Sequence, residues 1–160
     1  MVRLRVLTVA DWPLWRDARL AALTEAPHAF KSRLSDWHHG GEELWRARFA
    51  SPASCNIVAL LDGRTVGMAT GLPWDGGGCE LRSVWVSPGA RGSGVGDGLI
   101  EAVGTWARRS GAVTLKLAVL PHNGAAFALY QRNGFTITPE PGELLPDGVT
   151  RERVMRKELR

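Results

Sequence analysis

The apolar residues of this 160-residue chain follow two different periods along its length. Over residues 113–119 an apolar side chain stands at every second position, which is the period of a strand with one buried face. Over residues 94–109 the apolar positions lie three or four apart, as they do on one face of an amphipathic helix. We therefore predict a helix followed by a strand in this part of the chain.

Further elements follow from the same periods and from turn residues. Asp62-Gly63 between two apolar runs is a strong two-residue hairpin signal. A first helix begins near Pro13, which the first turn tolerates, and ends at Pro27. The other predicted helices are 42–49, 94–109 and 125–132, and the predicted strands are 3–7, 57–61, 65–71, 80–86, 113–119, 135–138 and 152–159. This order, β-α-α-β-β-β-α-β-α-β-β, predicts one α/β domain over residues 1–160 with a mixed sheet.

The composition of the chain limits the kinds of protein that it can be. An apolar fraction of 44% and a charged fraction of 22% are typical of a globular domain. No apolar run reaches the length of a membrane span, and the N-terminus lacks a signal-peptide core. Cys55, Cys79 and the four histidines lack metal or redox spacing, so we expect a cytoplasmic protein with no metal and no membrane partner. The net charge of +4 permits nucleic-acid binding, but the scattered basic residues do not indicate it.

A glycine-rich segment, Arg91-Gly92-Ser93-Gly94-Val95-Gly96, lies between a predicted strand and a predicted helix. At a helix N-terminus the first backbone N–H groups lack intrahelical partners and the helix dipole is positive, which suits a phosphate or diphosphate. The segment lacks the Gly-Lys-Ser/Thr ending of a P-loop and the third glycine of the dinucleotide fingerprint. A phosphate-bearing ligand and a purely structural turn both remain open at this point.

Two motifs, in this order and with a strand between them, resemble the GNAT superfamily of acyl-CoA-dependent N-acyltransferases. The first is that family's pyrophosphate loop, Arg/Gln-x-x-Gly-x-Gly/Ala, matched here by Arg91, Gly94 and Gly96. The second is Asn-x-x-Ala-x-x-x-Tyr-x-x-x-Gly-Phe, matched here by Asn123, Ala126, Tyr130, Gly134 and Phe135. The motifs span about residues 80 to 135, and the flanking segments match in element order and length.

The resemblance implies a GNAT-like α/β fold, with a mixed, mostly antiparallel central sheet flanked by helices. It also implies acetyl-CoA as cofactor and direct transfer of its acetyl group to a primary amine of a small molecule, peptide or protein. The coenzyme arm would lie between two splayed parallel strands that end at Val86 and Val119, with a bulge near residues 84–86 leaving one N–H for the thioester carbonyl. The implied cofactor-binding residues are Val84, Trp85, Val86, Arg91, Gly92, Ser93, Gly94, Val95, Gly96, Asp97, Asn123, Ala126 and Tyr130.

Catalytic roles come from the same resemblance. Tyr130, the only tyrosine, falls where the family places its general acid, and Asn123 lies about two helical turns earlier on roughly the same side. Glu80 matches the position of the general base of some members. The ordinary pKa of a glutamate, about 4.3, makes direct transfer from an amine uphill, so burial, a water chain or a less basic amine is required. A core aromatic and a solvated carboxylate are the alternatives for Tyr130 and Glu80. Asp97 departs from the expected neutral or basic residue, and we interpret it as complementing the helix dipole rather than competing with the pyrophosphate.

The sequence does not identify the acceptor. Phe30 and Trp85 are candidate apolar walls of a substrate site, and Glu80 is a candidate to attract the amine. Two other functions remain open: a non-catalytic acyl-CoA sensor, and acetylation of aminoacyl-tRNA by this basic chain. The assembly is also open, with a homodimer as one option.

Overall fold

The computed structural model describes residues 2–25, 42–47, 49, 53–74 and 76–159. The strands are β1 (Val2–Val6), β2 (Cys55–Leu61), β3 (Arg64–Trp74), β4 (Gly78–Val86), β5 (Thr114–Val119), β6 (Thr136–Leu144) and β7 (Arg151–Glu158). The helices are α1 (Trp12–Glu25), α2 (Glu42–Ala47), α3 (Val95–Arg109) and α4 (Gly124–Arg132). The predicted order of elements is therefore confirmed, with ends that differ by a few residues.

The seven strands form one sheet in the order β1-β2-β3-β4-β5-β7-β6. All neighbouring pairs are antiparallel except β4 and β5, which run parallel. A parallel pair needs a crossover, and α3 supplies it between these two strands. The mixed, mostly antiparallel α/β sheet that the sequence predicted is confirmed.

The hairpin between β2 and β3 is set by local residue preference. Asp62 and Gly63 adopt φ values of 52° and 80°. Positive φ at both central residues suits the primed two-residue turns, whose twist matches that of paired strands. The hairpin signal in the sequence is thus confirmed at the predicted residues.

The sixth strand differs from the prediction. The sequence predicted a strand over 135–138 and a loop over 139–151, because Pro139 and Pro141 break strand patterns. The structure instead extends β6 to Leu144 with irregular register against β7. β6 is an edge strand, and an edge strand accommodates proline because one side of its backbone needs no partner.

Apolar side chains fill a core on each face of the sheet. On one face, α3 and α4 cover a cluster that includes Ile57, Ala69, Leu81, Leu99, Val103, Leu115, Phe135 and Met155. On the other face, α1 and α2 cover Leu7, Trp15, Ala18, Ala22, Trp45, Val58, Met68 and Trp85. The sheet is thus the middle layer between two apolar cores.

Helix α3 approaches β3 closely at Gly71. A Cβ added to Gly71 would lie 2.4 Å from Cζ3 of Trp106. We expect Gly71→Ala to lower the free energy of unfolding by about 1–3 kcal/mol, since the indole must move in a packed layer. Urea unfolding measures this change.

The matched control is Gly104→Ala, on α3 itself. A Cβ at Gly104 meets nothing closer than 3.9 Å. Alanine in a helix interior is favoured over glycine by about 0.5–1 kcal/mol, so this variant should be more stable. A Gly71→Ala protein as stable as the parent would show that α3 does not pack against β3 in this way.

Candidate active site

The two parallel strands separate part-way along their length. Three residue pairs join β4 to β5, and the last is Glu80 with Lys116. Beyond this pair β4 continues to Val86 and β5 continues to Val119. Over these stretches the facing edges carry peptide groups that the neighbouring strand does not pair. The two strands that separate are the two that the resemblance implies, those that end at Val86 and Val119.

A bulge in β4 lies beside this gap. Met68 of β3 pairs with Trp85, whereas Thr70 pairs with Arg82, so two residues of β4 face one residue of β3. Ser83, in the bulge, has a φ of 57°, which is uncommon outside glycine. The bulge therefore lies at residues 83–84, at the N-terminal limit of the segment in which it was expected. The extra residue inverts the side-chain alternation of β4, so residues after the bulge point to the opposite face of the sheet from the one that a regular strand would give.

A cleft of about 760 Å³ opens at the gap. Five residues that the sequence singled out line it: Glu80, Val84, Asn123, Ala126 and Tyr130. The rest of its wall comes from α1, β4, β5, β6 and β7 and includes Arg19, Arg82, Ser83, Lys116, Leu117, Ala118, Val119, Glu140, Glu143 and Glu152. The structure thus brings the predicted catalytic residues into one cavity.

Helix α4 positions Tyr130 and Asn123. Asn123 is the N-cap, and its Oδ1 accepts a hydrogen bond from the backbone N–H of Ala126 at 3.2 Å. Tyr130 is buried, with its ring edge-on to Phe135 at a centroid distance of 5.9 Å. Burial raises the pKa of Tyr130 above its ordinary value, because a phenolate is poorly solvated there. The hydroxyl is therefore protonated at neutral pH and can donate a hydrogen bond.

The glycine-rich loop ends in the N-terminus of α3. Gly94 is the N-cap with a φ of 85°, and Gly92 has a φ of 81°. Among the described residues, the N–H groups of residues 92–96 donate to no backbone carbonyl. A Cβ at Gly96 would lie 3.1 Å from Cδ2 of Leu129, so this glycine lets α3 and α4 approach each other. The loop thus presents unpaired donors at the positive end of a helix dipole.

Two of the predicted cofactor residues have other partners in the structure. The Nε of Arg91 donates to the carbonyl of Val86 at 2.9 Å, and its Nη2 donates to Glu25 of α1. The indole Nε1 of Trp85 donates to the same carboxylate oxygen at 3.0 Å. Trp85 is buried in the core below α1 and does not line the cleft, so its predicted role as an apolar wall of the acceptor site has no support in this geometry.

Asp97 also has structural partners. Its carboxylate accepts hydrogen bonds from Arg132 at 3.2 Å and 3.3 Å and from the amide of Asn133 at 2.7 Å. These bonds, Arg132 first, hold the pKa of Asp97 below its usual range. Asp97 therefore ties the first turn of α3 to the end of α4, and it does not line the cleft.

The remaining predicted residues fall into three groups. Phe30 lies outside the described residues. Glu80 lines the cleft, and its Oε2 is 3.1 Å from Nε of Arg82. Val86, Gly92, Ser93 and Val95 belong to the strand end and the glycine-rich loop that flank the gap.

Sequence reasoning missed two buried ionisable groups that line the cleft, Arg19 and Glu152, which are 5% and 9% exposed. One signal was available: Arg19 interrupts an otherwise apolar helical stripe of Trp15, Ala18, Ala22 and Leu23.

Neither a metal site nor a membrane-spanning helix is present among the described residues. No group of three or more His, Cys, Asp or Glu side chains among them is arranged to hold a metal ion. None of the described helices is both long and apolar enough to cross a bilayer.

Comparison with known proteins decides the family. Residues 15–135 match the model of the Acetyltransferase (GNAT) family. The chain belongs to the GNAT acetyltransferase family. An IAA acetyltransferase of Azospirillum brasilense is 32% identical to this GNAT chain over 99 residues, which is 61% of the chain and 65% of that relative.

Solved structures share the fold. A GNAT-family acetyltransferase from Streptococcus pneumoniae superposes with a TM-score of 0.79 at 19% identity, covering 99% of both chains. The PaiA N-acetyltransferase from Thermoplasma acidophilum, solved in complex with coenzyme A, gives a TM-score of 0.74 at 18% identity and 99% coverage of both chains. GNAT acetyltransferases use acetyl-CoA, which is therefore the cofactor to test against this cleft.

Gly94 offers a direct test of the glycine-rich loop. Its φ of 85° is unfavourable for a β-branched side chain, although a Cβ would meet no atom within 4 Å. We expect Gly94→Val to distort the loop and to raise the Kd for acetyl-CoA at least tenfold, as measured by calorimetry.

Gly111 provides the matched control, because it has a φ of 86° and equally open surroundings at the other end of α3. Gly111→Val should carry a similar backbone strain and lower the Tm, yet leave the Kd for acetyl-CoA unchanged. If both variants lose affinity for acetyl-CoA equally, the loss comes from backbone strain in general and not from distortion of the glycine-rich loop.

Proposed function

We propose that this protein transfers an acetyl group from acetyl-CoA directly to a primary amine. One observation carries the proposal: the gap between β4 and β5 has unpaired amides of the α3 N-terminus at one end and Tyr130 in its wall. Acetyl-CoA carries a diphosphate, an arm with two amides and a thioester, and each of these parts has a matching surface here. Its thioester supplies the activated acetyl group.

The diphosphate fits the loop before α3. Residues 92–96 offer unpaired N–H groups, and Gly92 and Gly94 leave the approach to them open. Anions are stabilised at such a helix N-terminus by about 0.3–1 kcal/mol or more from the dipole alone. Arg91 lies beside the loop, where it donates to the carbonyl of Val86 and pairs with Glu25.

The arm fits the gap as an additional strand would. Beyond Glu80 and Lys116 the facing edges of β4 and β5 offer peptide donors and acceptors. Main-chain pairing to an exposed edge gives affinity with little dependence on side chains. Val84, Ala126 and Asn123 line this part of the cleft.

The bulge at residues 83–84 is placed to stabilise the reaction. A bulge removes a backbone group from the ladder, and an N–H freed in this way can hold the carbonyl oxygen of the thioester as negative charge develops on it. One preorganised donor of this kind contributes about a hundredfold in rate.

Tyr130 is placed to assist the departure of the thiolate. Because burial raises the pKa of its hydroxyl, full proton transfer to a thiolate of pKa about 8.5 is unfavourable. The hydroxyl instead stabilises the leaving sulfur by donating a hydrogen bond. Asn123 acts indirectly, because it caps the helix that carries Tyr130 and so helps to position the phenol.

Glu80 is placed to accept a proton from the amine through water. An amine of pKa about 10.4 must lose a proton at pH 7, at a cost of about 4.6 kcal/mol. Glu80 precedes Val84 by four residues, so the two lie about 13 Å apart along a strand. That distance favours a bridging water chain over direct contact between the carboxylate and the amine.

The function is tested by incubating the protein and acetyl-CoA with a panel of primary amines and following release of free CoA. We expect turnover with at least one amine, and a product heavier by one acetyl group in intact mass spectrometry. Tight binding of acetyl-CoA without turnover on any amine would favour the acyl-CoA sensor. RNA binding with a steep salt dependence would favour the aminoacyl-tRNA acceptor.

Tyr130→Phe tests the proposed hydrogen bond from Tyr130 to the leaving thiolate, since it removes the hydroxyl and keeps the ring against Phe135. We expect kcat to fall tenfold or more, which corresponds to about 1.4 kcal/mol or more of transition-state stabilisation. The Kd for acetyl-CoA and the Tm should stay close to those of the parent and serve as internal controls. An unchanged kcat would remove Tyr130 from the mechanism.

A further inference from the structure

Helix α4 ends in a Schellman motif that contains Tyr130. Gly134 has a φ of 91°, and its N–H donates to the carbonyl of Gln131 at 3.1 Å. The N–H of Phe135 donates to the carbonyl of Tyr130 at 3.1 Å, and the two aromatic rings contact each other beside this bond. The two hydrogen bonds and the apolar contact are the features that define the motif. The position of Tyr130 therefore depends on the C-terminal turn of α4.

This turn is held to the rest of the protein by few buried side chains. Of the nine residues of α4, all of which the structure describes, only Tyr130 is buried. Leu129 is partly buried and lies where α4 comes close to Gly96 of α3. Apolar contacts are non-directional, so they hold two helices together without fixing the position of one along the other.

A directional contact joins the same turn to α3 through Asn133, the C-cap of α4. The Nδ2 of Asn133 donates to Oδ1 of Asp97 at 2.7 Å and to the carbonyl of Leu129 at 2.9 Å, so both N–H groups of this amide are used. The backbone N–H of Asn133 donates to the carbonyl of Tyr130 at 3.0 Å. Asn133 thus connects the carboxylate of Asp97 to the backbone of Tyr130.

The charge of Asp97 suits α3 but not α4. A carboxylate is favourable in the first turn of a helix and unfavourable beside a helix C-terminus. Arg132, in the last turn of α4, offsets that cost by donating to both carboxylate oxygens of Asp97. The side chains of this pair are 61% and 40% exposed, and exposed ion pairs add little stability. The main consequence of these hydrogen bonds is therefore the position of α4, because their geometry is directional.

We propose that Asp97 is a positioning residue: through Asn133 it holds the C-terminal turn of α4 against the start of α3 and so places the hydroxyl of Tyr130 relative to the bound thioester. This inference rests on the proposed function. Asp97 does not line the cleft, so it acts through other residues. Because Asp97 directly follows Gly96, one turn of α3 both faces the diphosphate and holds the helix that carries the phenol.

Asp97→Ala tests the inference with acetyl-CoA and the amine for which the panel shows turnover. We expect kcat to fall about fivefold or more, because a small misplacement of a reacting group costs up to about a hundredfold in rate. The Kd for acetyl-CoA should stay close to that of the parent, because the donors to the diphosphate are backbone N–H groups. Asp97→Asn should restore part of kcat, since its side-chain oxygen can still accept from Asn133.

Glu101→Ala is the matched control, because Glu101 is an exposed carboxylate on the same helix one turn later. It removes the same charge from α3 and should leave kcat unchanged. A loss of kcat in Glu101→Ala equal to that in Asp97→Ala would show that the charge of α3 matters and the contact with Asn133 does not.

The decisive measurement repeats Asp97→Ala in the Tyr130→Phe protein. If Asp97 acts by placing the hydroxyl, its replacement should lower kcat much less once the hydroxyl is gone, whereas a general loss of structure would lower kcat equally in both backgrounds. Asn133→Ala breaks the same connection and should give the same pattern. It also carries the comparison if Asp97→Ala does not fold.

The outcomes separate this inference from the function on which it rests. Equal losses of kcat with and without the hydroxyl, or a rise in the Kd for acetyl-CoA with kcat unchanged, would overturn the role of Asp97 and leave the acetyltransferase function standing. An unchanged kcat in Tyr130→Phe alone would do the same. If the unmodified protein releases no CoA with any amine, the proposed function has itself failed.

Discussion

Strand pairing between β4 and β5 ends after Glu80 and Lys116, and this break in the central sheet opens the cleft. Peptide groups that lose a neighbour inside a sheet must find another partner, because leaving them buried and unpaired costs free energy. Here two strand edges face each other without pairing, and they form the floor of a cleft. A ligand with peptide-like groups can pair with both edges, as we propose for the arm of coenzyme A.

The surrounding helices make the gap a defined site. Asp97 joins the first turn of α3 to Arg132 and Asn133 at the end of α4, while Gly96 lets Leu129 pack closely between the two helices. The glycine-rich loop and the helix that carries Tyr130 are therefore connected through these contacts. A shift of the loop would move the phenol with it, so in the proposed reaction the binding of acetyl-CoA and the hydrogen bond from Tyr130 are geometrically linked.

On the other face, α1 plays the corresponding part. Glu25 at its end accepts hydrogen bonds from Trp85 and Arg91, and Arg19 in its middle contacts Ser83. One helix thus fixes the end of β4, the arginine of the glycine-rich loop and the bulge. Since α1 also lines the cleft through Arg19, changes in α1 affect the cleft as well as the end of β4.

Much of the fold was predictable because local rules govern it. The Asp62-Gly63 turn, the amphipathic α3, the alternation of β5 and the Asn123 cap are each set within a few residues by periodicity, φ preference or capping. The glycine-rich loop was recognisable for the same reason. By themselves these patterns determined the order of elements and placed Tyr130 and Asn123 on one helix.

The other features of the fold and of the site depend on contacts between segments that are far apart in the sequence. Arg19 and Ser83 are 64 positions apart, and Glu25 and Arg91 are 66 apart, so no local pattern signals either contact. The bulge reversed the alternation of β4, which put Leu81 in one core and Trp85 in the other. Edge position, not composition, allowed β6 to continue through two prolines. Such features depend on which segments become neighbours, and only the packed sheet determines that.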